Sequence, residues 1–121
     1  MEITSQRFPY FNVTLGSGIF WHFLEFIDQP PRIQAEEKIP CTAFAVGRKN
    51  EPLYRVIVKA NRISVEFIHI LTDGGGGLEY LKSLLYTYLT LTGEHISSPA
   101  DIIHPGMPVS EEEFEDGYNK Y

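Results

Sequence analysis

A histidine, an aspartate and a glycine recur at a telling spacing in His69-Ile70-Leu71-Thr72-Asp73-Gly74. Imidazole titrates near neutral pH, so a histidine facing a cavity can take a proton from an attacking hydroxyl or amine. An aspartate four residues on can brace the turn that aims it. Gly74 can let the backbone turn without a Cβ clash. The same stretch raises two rival chemistries. Asp73 to Gly77 at a helix start could cradle an anion on free N–H groups. Against that, the lysine of phosphate-binding loops is missing, and Glu79 stands where a third dinucleotide-fold glycine would. His69 and Asp73 could also ligate a metal, but no further clustered ligands follow, so no metal is assigned.

Positioning His69 requires a strand before it and a helix after it. Arg62 to Ile70 reads as that strand, with Ile63, Val65, Phe67 and His69 on its apolar face. Tyr54 to Lys59 pairs with it across a two-residue loop, Ala60-Asn61, where Asn61 can take positive φ. Leu78 to Leu91 reads as the helix. Leu78, Leu81, Leu85, Tyr88 and Leu89 form its core-facing stripe, and Gly93 sits where a C-terminal cap belongs. Upstream, Phe11 to Leu15 and Ile19 to Ile27 flank a Gly16-Ser17-Gly18 turn. The second of these is aromatic and expected to be largely buried, with His22 a satisfied core or interface residue. Residues 32–41 read as loop, Thr42 to Val46 as a short strand and 94–108 as loop. Ser110 with Glu113 forms a capping-box pattern that opens a short acidic helix toward Tyr121, so 98–121 combines loop and helix. These elements predict an α+β fold, an antiparallel or mixed sheet packed against helices.

The chain has 121 residues, 43% hydrophobic and 13% aromatic, enough for the core of a single domain over residues 1–121. The net charge is −6, and the stretch from Asp101 onward carries −5 of it. That run reads as a solvated face. No basic stripe offers itself to phosphate backbones, so nucleic acid is not an expected partner. No apolar run is long enough to span a membrane, no secretory pattern opens the chain, and Cys41 is the only cysteine. A soluble cytoplasmic protein is the expectation.

With its setting of strand, glycine turn and helix, Phe67 to Gly74 resembles the HxxxDG motif of the chloramphenicol-acetyltransferase-like, CoA-dependent acyltransferase superfamily. Arg7-Phe8-Pro9-Tyr10-Phe11-Asn12-Val13 looks like the place where that group's first helix ends and its first strand begins. Glu112 to Tyr118 is similar to the segment before the inter-lobe region of bacterial alcohol acetyltransferases. Ile68 stands where most members carry a second histidine, which points to the alcohol-acetyltransferase side. The DFGWG motif of the second lobe does not occur, and the first helix has no room before Arg7. The resemblance therefore implies a partial N-terminal lobe of a bilobed enzyme. It implies acetyl-CoA or another acyl-CoA as cosubstrate, an alcohol or amine as acceptor and no tightly bound cofactor. It makes His69 the general base and Asp73 a structural residue that typically pairs with an arginine. The C-terminal lobe would complete the site; without it the exposed inter-lobe surface would invite self-association, and the isolated chain would be inactive. A non-catalytic binding or interaction module derived from this lobe is the rival expectation.

Overall fold

A computed structural model describes residues 2–28, 33–35, 41–45, 50–97 and 100–115. Helix α1 (Glu2–Arg7) leads through a 3₁₀ turn at Pro9–Phe11 into strands β1 (Val13–Ser17) and β2 (His22–Phe26). Strand β3 (Ile33–Ala35), strands β4 (Tyr54–Lys59) and β5 (Arg62–Phe67), and helix α2 (Gly74–Leu91) follow. A second 3₁₀ turn spans Glu111–Phe114. The architecture is α+β with two small sheets. β1 and β2 form an antiparallel hairpin; β3, β4 and β5 form a mixed sheet in that order.

The core is aromatic. Phe8, Phe11, Tyr54, Val56, Tyr80 and Leu84 are buried together, with Phe67 packed against them. Tyr54 stacks on Phe67 at 5.5 Å between ring centroids, and Tyr80 meets Tyr54 edge-on at 5.1 Å. Buried phenols need partners. The Tyr80 hydroxyl donates to Tyr54 Oη (3.2 Å), which also lies 3.1 Å from Ser5 Oγ of α1. Burial pushes both phenol pKa values up. This chain of hydroxyls ties α1, β4 and α2 into one unit.

Several sequence expectations need correction. Residues 33–35, read as loop, form β3, which pairs parallel with β4 at Ile33–Val56, Gln34–Ile57 and Ala35–Val58. Residues 42–45 form no strand, and Val46 lies outside the described residues. In the β4–β5 loop it is Ala60, not Asn61, that takes positive φ, at 50°. β2 is exposed along its whole length rather than buried. His22 is likewise exposed, its Nδ1 3.0 Å from Ser17 Oγ. Aromatic content favours a strand; it does not supply a layer to cover it.

Helix α2 starts four residues before the expected Leu78 and is rotated by about one residue. Its buried side is Gly77, Tyr80, Ser83, Leu84 and Thr87. The expected core stripe is displaced toward solvent: Leu78 is 55% and Tyr88 52% exposed, and Leu85 is exposed too. The reason is steric. Tyr80 fills the centre of the aromatic cluster, and the small Gly77 lets the helix approach Phe67, whose ring lies 3.2 Å from where a Cβ would stand. The helix end matches its signal. Gly93 has φ 94°, the Glu94 N–H donates to Leu89 O (3.0 Å), and the Gly93 N–H donates to Thr90 O (3.2 Å). These are the paired bonds of a Schellman cap.

The acidic run is not uniformly a solvated face. Arg7, buried to 4% exposure, sends Nη1 and Nη2 to Glu113 at 2.9 and 3.0 Å, and the Tyr10 hydroxyl donates to the same carboxylate at 2.7 Å. Those bonds, the Arg7 pair first, hold the Glu113 pKa down at about 2 against the opposing effect of burial. The Ser110 N–H also donates to Glu113 (3.1 Å), as the capping-box spacing requires. The described part of the expected acidic helix is a single 3₁₀ turn; 116–121 lie outside the described residues.

Candidate functional site

The candidate site lies where β5 ends and α2 begins. β5 stops at Phe67, three residues short of the expected Ile70. The Ile68 N–H still donates to Leu53 O (2.9 Å), but the Ile68 carbonyl accepts from Leu71 N (2.8 Å). That bond closes a turn in place of the ladder. His69 therefore sits in an exposed turn beyond the strand. It still borders the same space as the strand's apolar side: a groove of about 330 Å³ lined by Val65, Phe67, His69, Asp73, Gly77 and Leu81 among others. Among the described residues no hydrogen bond holds the His69 ring.

Asp73 has extended backbone (φ −84°, ψ −178°) and is the N-cap of α2. Its Oδ1 accepts from Gly76 N at 2.8 Å. This satisfies one of the four free N–H groups of the first turn and places negative charge at the positive end of the helix dipole. The expected bracing of the turn thus takes the form of a helix cap. Among the described residues no arginine bonds this carboxylate, so the expected arginine partner is not found there. The capping carboxylate also occupies one of the N–H groups that an anion cradle would use, that of Gly76.

The tightest approach to a glycine lies later than expected. A Cβ on Gly74 would meet nothing within 4 Å, whereas one on Gly76 would lie 2.1 Å from Thr72 Oγ1. Close approach, the constraint expected at Gly74, falls instead on Gly76 and Gly77. No three His, Cys, Asp or Glu side chains gather among the described residues in a way that could hold a metal. Cys41 is exposed, with its N–H on Glu66 (2.9 Å).

No family model, no curated protein and no solved structure matches this chain. Among the described residues, no helix is long and apolar enough to cross a membrane.

The arrangement offers one exposed imidazole at the rim of an apolar groove, beside a helix N-terminus that is already capped. An imidazole so placed is open to a substrate hydroxyl or amine, and the apolar wall suits an uncharged chain. The groove residues Gly77 and Leu81 were not singled out from the sequence as site residues. Leu81 belongs to the helical stripe, which reads as core, and Gly77 to the glycine run considered for an anion cradle. Nothing in the sequence linked Arg7 to Glu113, which are 106 positions apart.

Proposed function

We propose that this chain supplies the general-base part of an acyltransferase that moves an acyl group from coenzyme A to an alcohol or amine. His69 is the base: it takes the acceptor's proton as the acceptor oxygen or nitrogen attacks the thioester carbonyl. The tetrahedral intermediate then collapses, the C–S bond breaks, and the thiol of coenzyme A leaves with the proton. Asp73 holds the turn by capping α2. Acetyl-CoA is the expected donor, and a partner lobe or surface supplies the oxyanion donors. The observation that supports this reading is His69 on the rim of the groove with Asp73 capping the helix behind it.

The test is thiol release from acetyl-CoA by the intact gene product, with alcohol and amine acceptors. Positioned general-base catalysis contributes on the order of 10²–10⁴-fold, so His69→Ala should cost at least about 100-fold in kcat. A wild-type rate in His69→Ala would remove His69 from the reaction.

A second reading is favoured by the exposed apolar hairpin of β1 and β2. On that reading the chain is a binding module and His69 a surface residue. Absence of thiol release for every donor and acceptor, with binding retained in His69→Ala, would select it.

A further inference from the structure

The β1–β2 hairpin ends in apolar side chains that nothing among the described residues covers. Ile19 and Phe20 form its apex and Trp21 follows, all strongly exposed, with Phe23, Leu24 and Phe26 exposed behind them. Single exposed apolar residues are ordinary, but a contiguous set on one projection marks an interaction surface. The ladder runs almost to the tip. Ser17 stands opposite His22, and the Gly18 N–H donates to Trp21 O (2.7 Å), which leaves Ile19 and Phe20 as the apex. Few backbone polar groups there lose a water partner when the tip enters an apolar phase.

The directions of these side chains select the occupant. Successive residues of a strand point to opposite faces. Phe23 leaves one face of the hairpin, over Gly16, while Leu24 and Phe26 leave the other, and Ile19 and Phe20 stand at the end. A protein partner covers one face of a two-stranded ribbon or extends its edge, and the remaining rings stay in water. A fluid apolar phase covers every side at once. The polarity along the hairpin is graded to match. Behind the apex comes Trp21, whose apolar ring and single N–H favour the boundary between hydrocarbon and headgroups. Ser17 and His22 follow, joined at 3.0 Å. The first acid, Glu25, lies roughly 15 Å from Phe20 at the strand rise of about 3.4 Å per residue. Charge then selects the lipid. No Lys or Arg stands between Arg7 and Arg32, and the chain carries a net charge of −6. The hairpin has no cation to offer anionic headgroups, so an anionic surface gives it no added attraction.

We propose that the hairpin anchors the chain peripherally on a zwitterionic lipid surface. Ile19, Phe20 and Trp21 enter the boundary of headgroups and acyl chains by about 5–10 Å. Phe23 and Leu24 then lie among the headgroups, and Glu25 and Asp28 stay in water. This inference holds whether or not His69 acts as a base.

Trp21 is the only tryptophan of the chain, so its fluorescence reports from the tip itself. Titrating the full chain with phosphatidylcholine vesicles should shift its emission to the blue and shield it from iodide. Bromine-labelled acyl chains should quench it. Raising salt from about 0.1 to about 1 M should not release the chain, and replacing part of the lipid with phosphatidylserine should not tighten binding. Phe20→Ser and Ile19→Ser should each weaken vesicle partition about tenfold or more. Leu85→Ser, an equally apolar loss on the exposed side of α2, should leave partition unchanged. Should either hairpin variant misfold, quenching by the labelled acyl chains in the wild type decides instead. An emission that phosphatidylcholine leaves unmoved overturns the proposal. So does binding that needs anionic lipid and is lost in salt. Shielding of Trp21 that grows with protein concentration in the absence of lipid also overturns it, because a second copy then covers the hairpin.

Discussion

β4 and β2 look alike as sequence and fare oppositely in the fold. Each is a short strand of aromatic and aliphatic residues. β4 lies between β3 and β5, and its Tyr54 and Val56 are buried against Phe11 and Tyr80. Among the described residues β2 has only β1 beside it, and the hairpin carries Ile19 and Phe20 at 88% and 89% exposure. Within the hairpin the close contacts are local: the Phe23 ring lies over Gly16 of the paired strand, where a Cβ would be 2.5 Å away, and the Trp21 ring lies against Gly18. A strand's composition states what it can bury. The neighbours it acquires decide whether it does.

The sharpest way to break this comparison is to truncate one aromatic ring in each region. Phe11 touches the rings of Phe8, Tyr10, Tyr54, Phe67 and Tyr80. Phe11→Ala should lower folding stability by about 3–5 kcal/mol, read as a shift in urea midpoint at constant slope.

Next in size is the ion pair that fastens α1 to the 110–115 segment. Glu113→Ala leaves the buried Arg7 guanidinium without its carboxylate and should cost about 3 kcal/mol. The pH dependence follows from the same pair. Glu113 has a folded-state pKa of about 2, below its ordinary 4.5. Its contribution is therefore fully present above about pH 4.5 and is lost as pH falls toward 2. Thermal melts of the wild type should decline across that window, and Glu113→Ala should flatten the decline. An equal slope in both would assign acid sensitivity to other carboxylates.

The smallest effect belongs to the hairpin. Phe20→Ser should change monomer stability by no more than about 0.5 kcal/mol, since its ring is already in water. A cost near that of Phe11→Ala would mean that β2 is covered in solution, and the contrast with β4 would collapse.

Much of the scaffold around His69 was legible because its signals are local. The β4–β5 hairpin follows from alternation on both sides of a two-residue loop, and the end of α2 from Gly93. Asp73 reads as a brace for its turn, but its capping of α2 does not, because the glycines blur where that helix begins. The illegible parts depend on distant partners. β3 exists through its parallel pairing with β4, more than 20 positions away. Glu113 reads as one acid in a run until Arg7 and Tyr10 converge on it. The helical stripe of α2 was seen, but periodicity says only that a face exists, not which layer meets it.

By itself the sequence determined the α+β class, the order of β4, β5 and α2, the cap at the C-terminal end of α2, and the proximity of His69 to Asp73 at one turn. Each of these depends on bonds closed within a few residues. Only the tertiary structure decided that α2 turns Tyr80 rather than Leu78 and Leu85 inward, that Arg7 is buried on Glu113, and that His69 lies in an exposed turn beside a groove. These outcomes depend on which surfaces exclude water together. That is a property of the packed chain, and local patterns leave it open.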